Sequence, residues 1–249
     1  MIKKKLQNLF KSFFQFIFKL IYGEVIYSKN NLNDENIIIK HLKSDKIKKF
    51  NNEVYSVYEV KNGRVYNDHV ENVAVINKDQ ILDKVSYQQV EGTLNQSNKS
   101  IILKKGTPRI KKKIKSNVLI LSQGASGNDN YFHWLFDILP KIKIFSETNN
   151  LNDIDFFYFS KLHKYQKDIL KIMGLENMNI LDSNLFRHVE ASKIFISDHP
   201  WYHKGNILEE ANNIPEWIVK WLRETFLLKF KKFEFNEKIF IDRTESKFN

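Results

Sequence analysis

Apolar residues open the chain at helical spacing: Leu6, Leu9, Phe10, Phe13, Phe14, Ile17, Leu20 and Ile21. Lys11, Gln15 and Lys19 recur on the other side behind the run Lys3-Lys4-Lys5, and Phe16 and Phe18 interrupt the segregation. The pattern predicts an amphipathic helix over residues 1–22. Two lysines break the apolar run, which argues against a membrane span. The lack of a small-residue cleavage site argues against a signal peptide. Residues 28–52 are polar and rich in Asn and Lys, and read as a linker around one apolar run, Ile37-Ile38-Ile39. Strand-type patterns follow. Residues 54–60 are β-rich, Asn62-Gly63 offers a tight turn, and Arg64-Val65-Tyr66 can pair back as a hairpin. Residues 73–76, 81–85 and 101–103 continue the β-rich block. Residues 104–115 are strongly basic and read as a solvated loop or an edge strand guarded by lysines.

From Val118 the rhythm becomes strand–helix alternation. Strands are expected at 118–121, 156–159, 179–181, 193–197 and 238–242. Helices are expected at 131–145, 163–173 and 215–228. Gly174 suits the end of the second helix, and Pro215 the first turn of the third. Such alternation implies a mainly parallel sheet with helices on its faces. The expected fold class is therefore α/β, in three parts: the helix 1–22, a β-rich region 23–116, and a Rossmann-like α/β domain 117–249.

Composition narrows the class. With 249 residues, 42% of them hydrophobic, the chain can bury a proper core. It has no cysteine, which excludes disulfides and thiolate metal sites and fits a reducing compartment. The net charge of +11 fits either an acidic partner or a lysine-biased composition. Arginines are few, and no zinc-finger, RNP or helix-turn-helix pattern occurs, so nucleic acid is not an expected partner. The basic, Phe-rich amino-terminal helix suits either an anionic membrane surface or packing on its own domain.

The densest chemistry lies in Gly127 to Pro140, GNDNYFHWLFDILP. A small-residue loop follows the strand ending at Leu121, and Asn128, Asp129 or Asn130 can cap the next helix. His133 and Asp137 stand four residues apart and share a face, while Trp134, Leu135, Ile138 and Ile142 form the neighbouring apolar face. Pro140 removes one helical hydrogen bond. The carboxyl end of a strand is where open α/β sheets place ligands. There the His–Asp pair is a general-base candidate, or simply a local structural pair. Gly124-x-x-Gly127 is no dinucleotide fingerprint, and no Walker pattern, internal repeat or convincing pair of spaced carboxylates occurs. His199, Trp201, Tyr202 and His203 form a second aromatic cluster, suited to an acceptor sugar or to packing. No metal or cofactor is expected.

The string Asn130-Tyr131-Phe132-His133-Trp134-Leu135-Phe136-Asp137-Ile138-Leu139-Pro140 resembles the signature of glycosyltransferase family 61, the capsular polysaccharide biosynthesis type. Weaker echoes follow in the family's order: Lys193-Ile194-Phe195-Ile196-Ser197 with His199-Pro200, and Lys238-Ile239-Phe240-Ile241-Asp242-Arg243. The resemblance implies a GT-B fold and inverting transfer from a nucleotide-sugar donor to a glycan or lipid-linked acceptor, as in capsule or lipopolysaccharide synthesis. It implies a cytoplasmic enzyme, peripheral at the inner face of the membrane through residues 1–22. His133 and Asp137 become the catalytic candidates. Asn130, Tyr131 and Arg243 become substrate contacts, with Arg243 placed to grip a diphosphate. Family members continue into a second half with a His-Gly-Ala-Gly-like loop, which this sequence does not contain. The chain is therefore expected to be an amino-terminal portion of such an enzyme. The alternatives are a truncated, non-catalytic module that binds a glycan or a partner, or a basic membrane-surface protein.

Overall fold

The computed structural model describes residues 2–29, 32–49, 51–69, 72–90, 93–122, 130–201 and 213–227. The expected strand at 238–242 lies outside them. A long helix, α1 (Ile2–Tyr22), leads into a mixed twelve-stranded sheet. The first eight strands are β1 (Ile26–Tyr27), β2 (Ile37–His41), β3 (Ser56–Lys61), β4 (Arg64–His69), β5 (Asn72–Asn77), β6 (Gln80–Ile81), β7 (Tyr87–Val90) and β8 (Thr93–Gln96). A short helix, α2 (Ile102–Lys105), precedes β9 (Lys112–Ile120). After β9 come α3 (Tyr131–His133), a π-helical turn (Trp134–Ile138) and α4 (Leu139–Ser146). The remainder is β10 (Phe156–Phe159), α5 (Lys164–Ile172), β11 (Asn179–Asp182), β12 (His188–Ser197) and α6 (Glu216–Phe226).

The fold is α/β, with a parallel segment in the order β12-β9-β10-β11. The chain leaves β9 towards β10 and β11, then returns to the opposite side of β9 as β12. Along its other edge, β12 pairs antiparallel with β4 through residues 188–190 and with β3 through residues 193–197. The β-rich half is thus joined to the parallel half by one central strand. The boundary expected at 116/117 falls inside β9, and the sheet is continuous across it.

Four local expectations differ from the structure. The hairpin at Asn62-Gly63 does not form. β3 and β4 run end to end along β12, with Asn62 N–H donating to Ser192 O and Ala191 N–H donating to Gly63 O. Asn62 takes a left-handed φ of 51°, and a Cβ on Gly63 would meet Val60 Cγ1 at 2.9 Å. The pair therefore kinks one long strand, because β12 is long enough to hold both segments and satisfy their backbone groups. The supposed linker at 28–52 contains β2, which pairs antiparallel with β3. Residues 81–85 leave the strand at Ile81 and form a 3₁₀ turn at Asp83–Val85. Residues 102–103, expected as strand, begin α2, which closes at Gly106 with φ 65°.

The basic stretch divides in two. Residues 112–117 of β9 pair with β12, and β10 joins the other side only from Val118 onward. Lys112, Lys113 and Lys115 therefore sit on an edge, as lysines do where further pairing must be blocked.

Strand alternation assigns two faces to the sheet. Leu119, Leu121, Phe157, Phe159 and Phe195 face a core shared with α4, α5 and α6. Val118, Ile120, Tyr158, Ile194 and Ile196 face a second core, closed by β5 residues Val73 and Val75 and by Leu82 and Val85. Among the described residues, helices thus cover one face of the parallel segment, and the curled antiparallel half covers the other. This departs from the helices on both faces that the alternation implied. Among the described residues, no helix is long and apolar enough to cross a membrane.

Candidate active site

β9 runs into the site through buried Leu121 and Ser122. Asn130 then caps the next helix, its Oδ1 accepting from Phe132 N–H at 2.9 Å. That bond satisfies one of the free donors of the first turn. Tyr131 is exposed and its ring lies 5.3 Å from that of Tyr165. Trp134 is fully buried and packs on Phe159. The first two are substrate candidates by resemblance; their observed contacts are a cap and a ring pair.

Pro140 explains the π turn. It has no N–H, and its ring would crowd the carbonyl of residue 136. The helix widens just before it, so that Leu139 N–H reaches back to Trp134 O. Such widened turns recur at functional sites. His133 directly precedes this turn and Asp137 lies within it. His133 Nδ1 lies 2.7 Å from Asp137 Oδ2. The two expected catalytic residues are therefore a hydrogen-bonded pair.

The second cluster closes on the same carboxylate. His199 and Trp201 follow the carboxyl end of β12, the neighbour of β9. Trp201 Nε1–H donates to Asp137 Oδ1, and His199 Nε2 lies 4.0 Å from Asp137 Oδ2. From below, Lys141 Nζ donates to Leu121 O at 2.9 Å. Asp137 and Lys141 are each 0% exposed, and His199 is buried, whereas the His133 side chain is 16% exposed.

Charges in this pocket are strongly perturbed. Burial pushes the Asp137 carboxyl up, but the hydrogen bond from His133 and nearby positive charge outweigh it and hold the group below its ordinary range. Burial drives the Lys141 amine down to about 7, against the opposing pull of Asp137. Burial likewise pushes His199 down to about 3, again opposed by Asp137. Carboxylates held ionised beside depressed cations mark functional pockets more often than ordinary cores.

The arrangement divides the chemistry. Both oxygens of Asp137 are engaged, and the group is sealed from solvent, so it cannot take a proton from an incoming hydroxyl. It can orient His133. With Nδ1–H donated to Asp137, the imidazole keeps Nε2 as its proton-accepting atom. His133 is the member of the pair that reaches the surface.

Sequence reasoning named His133, Asp137, His199 and Trp201 but placed them in two clusters. It missed Lys141. The available signal was the row His133, Asp137, Lys141, each four residues from the last on one helical face. Arg243, Tyr202 and His203 lie outside the described residues. Among the described residues, no group of three or more His, Cys, Asp or Glu side chains could hold a metal ion. The sequence matches no protein-family model and no curated protein.

Proposed function

We propose that the chain carries the acceptor side of an inverting glycosyltransferase of the family 61 type, with His133 as the general base. One observation carries this reading. A solvent-reaching imidazole is held by a buried, ionised carboxylate at the carboxyl ends of two adjacent parallel strands. Inverting transfer needs such a base. The acceptor hydroxyl oxygen attacks the anomeric carbon as its proton passes to His133 Nε2. The bond from the anomeric carbon to the nucleoside diphosphate breaks, and its electron pair leaves with the diphosphate. Asp137 stabilises the resulting imidazolium. Trp201 and Lys141 keep Asp137 and the helix in place. Arg243 is the proposed partner of the leaving diphosphate. On this reading the α/β unit is one half of a GT-B enzyme, and the product is a surface glycan such as capsule or lipopolysaccharide.

The test is release of nucleoside diphosphate from a panel of nucleotide-sugars, with and without glycan or lipid-linked acceptors. His133→Ala should lower turnover by roughly 10²- to 10⁴-fold, the usual worth of a positioned base. The same change strips the donor from Asp137 Oδ2, so stability should fall by about 2–4 kcal/mol, and turnover is compared on protein shown to be folded. Full turnover by a folded His133→Ala protein would overturn the assignment. A second reading, a non-catalytic glycan-binding module, draws on the complete burial of Asp137, which suits a purely structural network. Glycan binding that survives His133→Ala, with no diphosphate release by any donor, would favour it.

A further inference from the structure

We propose that α1, together with the tips carrying Ile110 and Leu185, is a surface that binds anionic membranes by inserting apolar side chains into the lipid interface. The proposal is independent of the transferase reading. It rests on which side of α1 faces the protein. At about 100° per residue, the apolar positions Phe16, Leu9, Leu20, Phe13, Leu6, Ile17, Phe10, Ile21 and Phe14 occupy one arc of roughly 160°. A helix serving its own core would bury that arc. Here the contacts with the body come from the opposite arc. The Tyr22 ring, stacked within the helix on Phe18 at 5.6 Å, meets His188 edge-on at 5.0 Å, and Tyr22 Oη accepts from Lys111 N–H. The Lys19 stem lies against Gly106. The apolar arc is turned outward, with Leu9 72% and Leu20 71% exposed. Phe16 and Phe18 looked like faults in the amphipathic pattern. Phe16 lies at the edge of the outward arc, and Phe18 braces Tyr22, which docks the helix by its other side.

The body extends the same surface. Between α1 and the body runs a groove of about 950 Å³, lined by Phe10, Phe14 and Phe18 on the helix and by Ile110 and Leu185 on the body. Ile110 and Leu185 are 82% and 74% exposed. Large apolar side chains this exposed, clustered on one side, mark an interaction surface.

Charge selects the occupant. The helix contains five lysines and no acidic residue. Lys11, Lys105, Arg109 and Arg187 line the groove, and no Asp or Glu is found among its described lining residues. A second copy of the chain would bring the same positive charge against this one. An anionic lipid surface supplies the opposite charge and an apolar interior together.

The test is co-flotation of the full chain with phosphatidylcholine vesicles, with and without phosphatidylglycerol, at low and high salt. Binding should require phosphatidylglycerol and weaken in salt. Lys3, Lys4 and Lys5 changed to Gln should each lower partitioning about fivefold, from about 1 kcal/mol per basic residue near the surface. Phe13→Glu should abolish it. These positions are exposed and away from the cores, so far-ultraviolet circular dichroism should be unchanged. The lysine variants test the proposal even if Phe13→Glu misfolds. Equal binding to neutral vesicles, or none to either, would overturn it. So would sedimentation showing a wild-type dimer that Phe13→Glu converts to monomer, with vesicle binding unaffected.

Discussion

Lys141 is the site residue whose replacement has the most definite consequence. Its amine is sealed from solvent and driven down to about 7 from an ordinary 10.5. That difference of about 3.5 units corresponds to roughly 5 kcal/mol against the charged form in the folded chain, at 1.36 kcal/mol per unit. Between pH 7 and 10.5 the unfolded chain keeps the proton that the folded chain has released. The unfolded state binds more protons, so stability rises with pH across this window. Lys141→Met keeps the length of the side chain and removes the titration. It also removes the hydrogen bond to Leu121 O, worth about 1 kcal/mol. Near pH 7 the variant should be more stable than wild type by about 2–4 kcal/mol. The advantage should shrink as pH rises and reverse by about 1 kcal/mol once the unfolded amine is also neutral. Guanidinium unfolding followed by tryptophan fluorescence, at a series of pH values, reads the difference directly. A variant less stable at pH 7, with a gap that does not change with pH, would refute the reasoning. It would mean the amine keeps its proton through compensation by Asp137.

Three further outcomes follow from the same geometry. Trp201→Phe strips the donor from Asp137 Oδ1 and leaves a buried carboxylate oxygen unsatisfied, which should cost about 2–4 kcal/mol in chemical denaturation; an unchanged midpoint would remove Trp201 from the network. His188 is pushed by burial down to about 4 from 6.5. A depressed histidine contributes stability above its unfolded pKa and loses it as pH falls towards the folded value. Wild type should therefore lose about 3 kcal/mol across that window, and His188→Phe should lose correspondingly less in paired melts at neutral and acid pH. Asn130→Ala should remove about 1 kcal/mol of capping and lower Tm by about 2–4 °C. A far larger loss of diphosphate release than of stability in that variant would assign Asn130 a substrate contact as well.

Local features were legible because their causes are local. The period of the apolar positions marked α1, β10 and α5, and Asn130 and Gly174 mark ends that their side chains and φ angles enforce. The His133–Asp137 bond follows from helical spacing alone. What could not be read depended on partners distant in sequence. The turn at Asn62-Gly63 has hairpin chemistry, and only the length of β12 decides that the chain passes straight through it. The union of the two aromatic clusters needed β12 to lie beside β9, which brings residues 137 and 201 together across 64 positions. Lys141 was not singled out in a lysine-rich chain, and its burial depends on Leu121 and the sheet beneath it.

That long-range assembly also explains why one residue of the pair, and not the other, suits proton transfer. A carboxylate alone on a helix could serve as a base or as a strut. Once Trp201 and His133 bond its two oxygens and the group is sealed from solvent, Asp137 is out of reach of an acceptor, and its role shifts to holding the imidazole. The neighbours reinforce this. Burial holds His199 neutral at neutral pH, and Lys141, lowered to about 7, offsets the carboxylate charge only in part. The negative charge is then balanced chiefly when His133 takes up a proton, which is the event the proposed reaction requires.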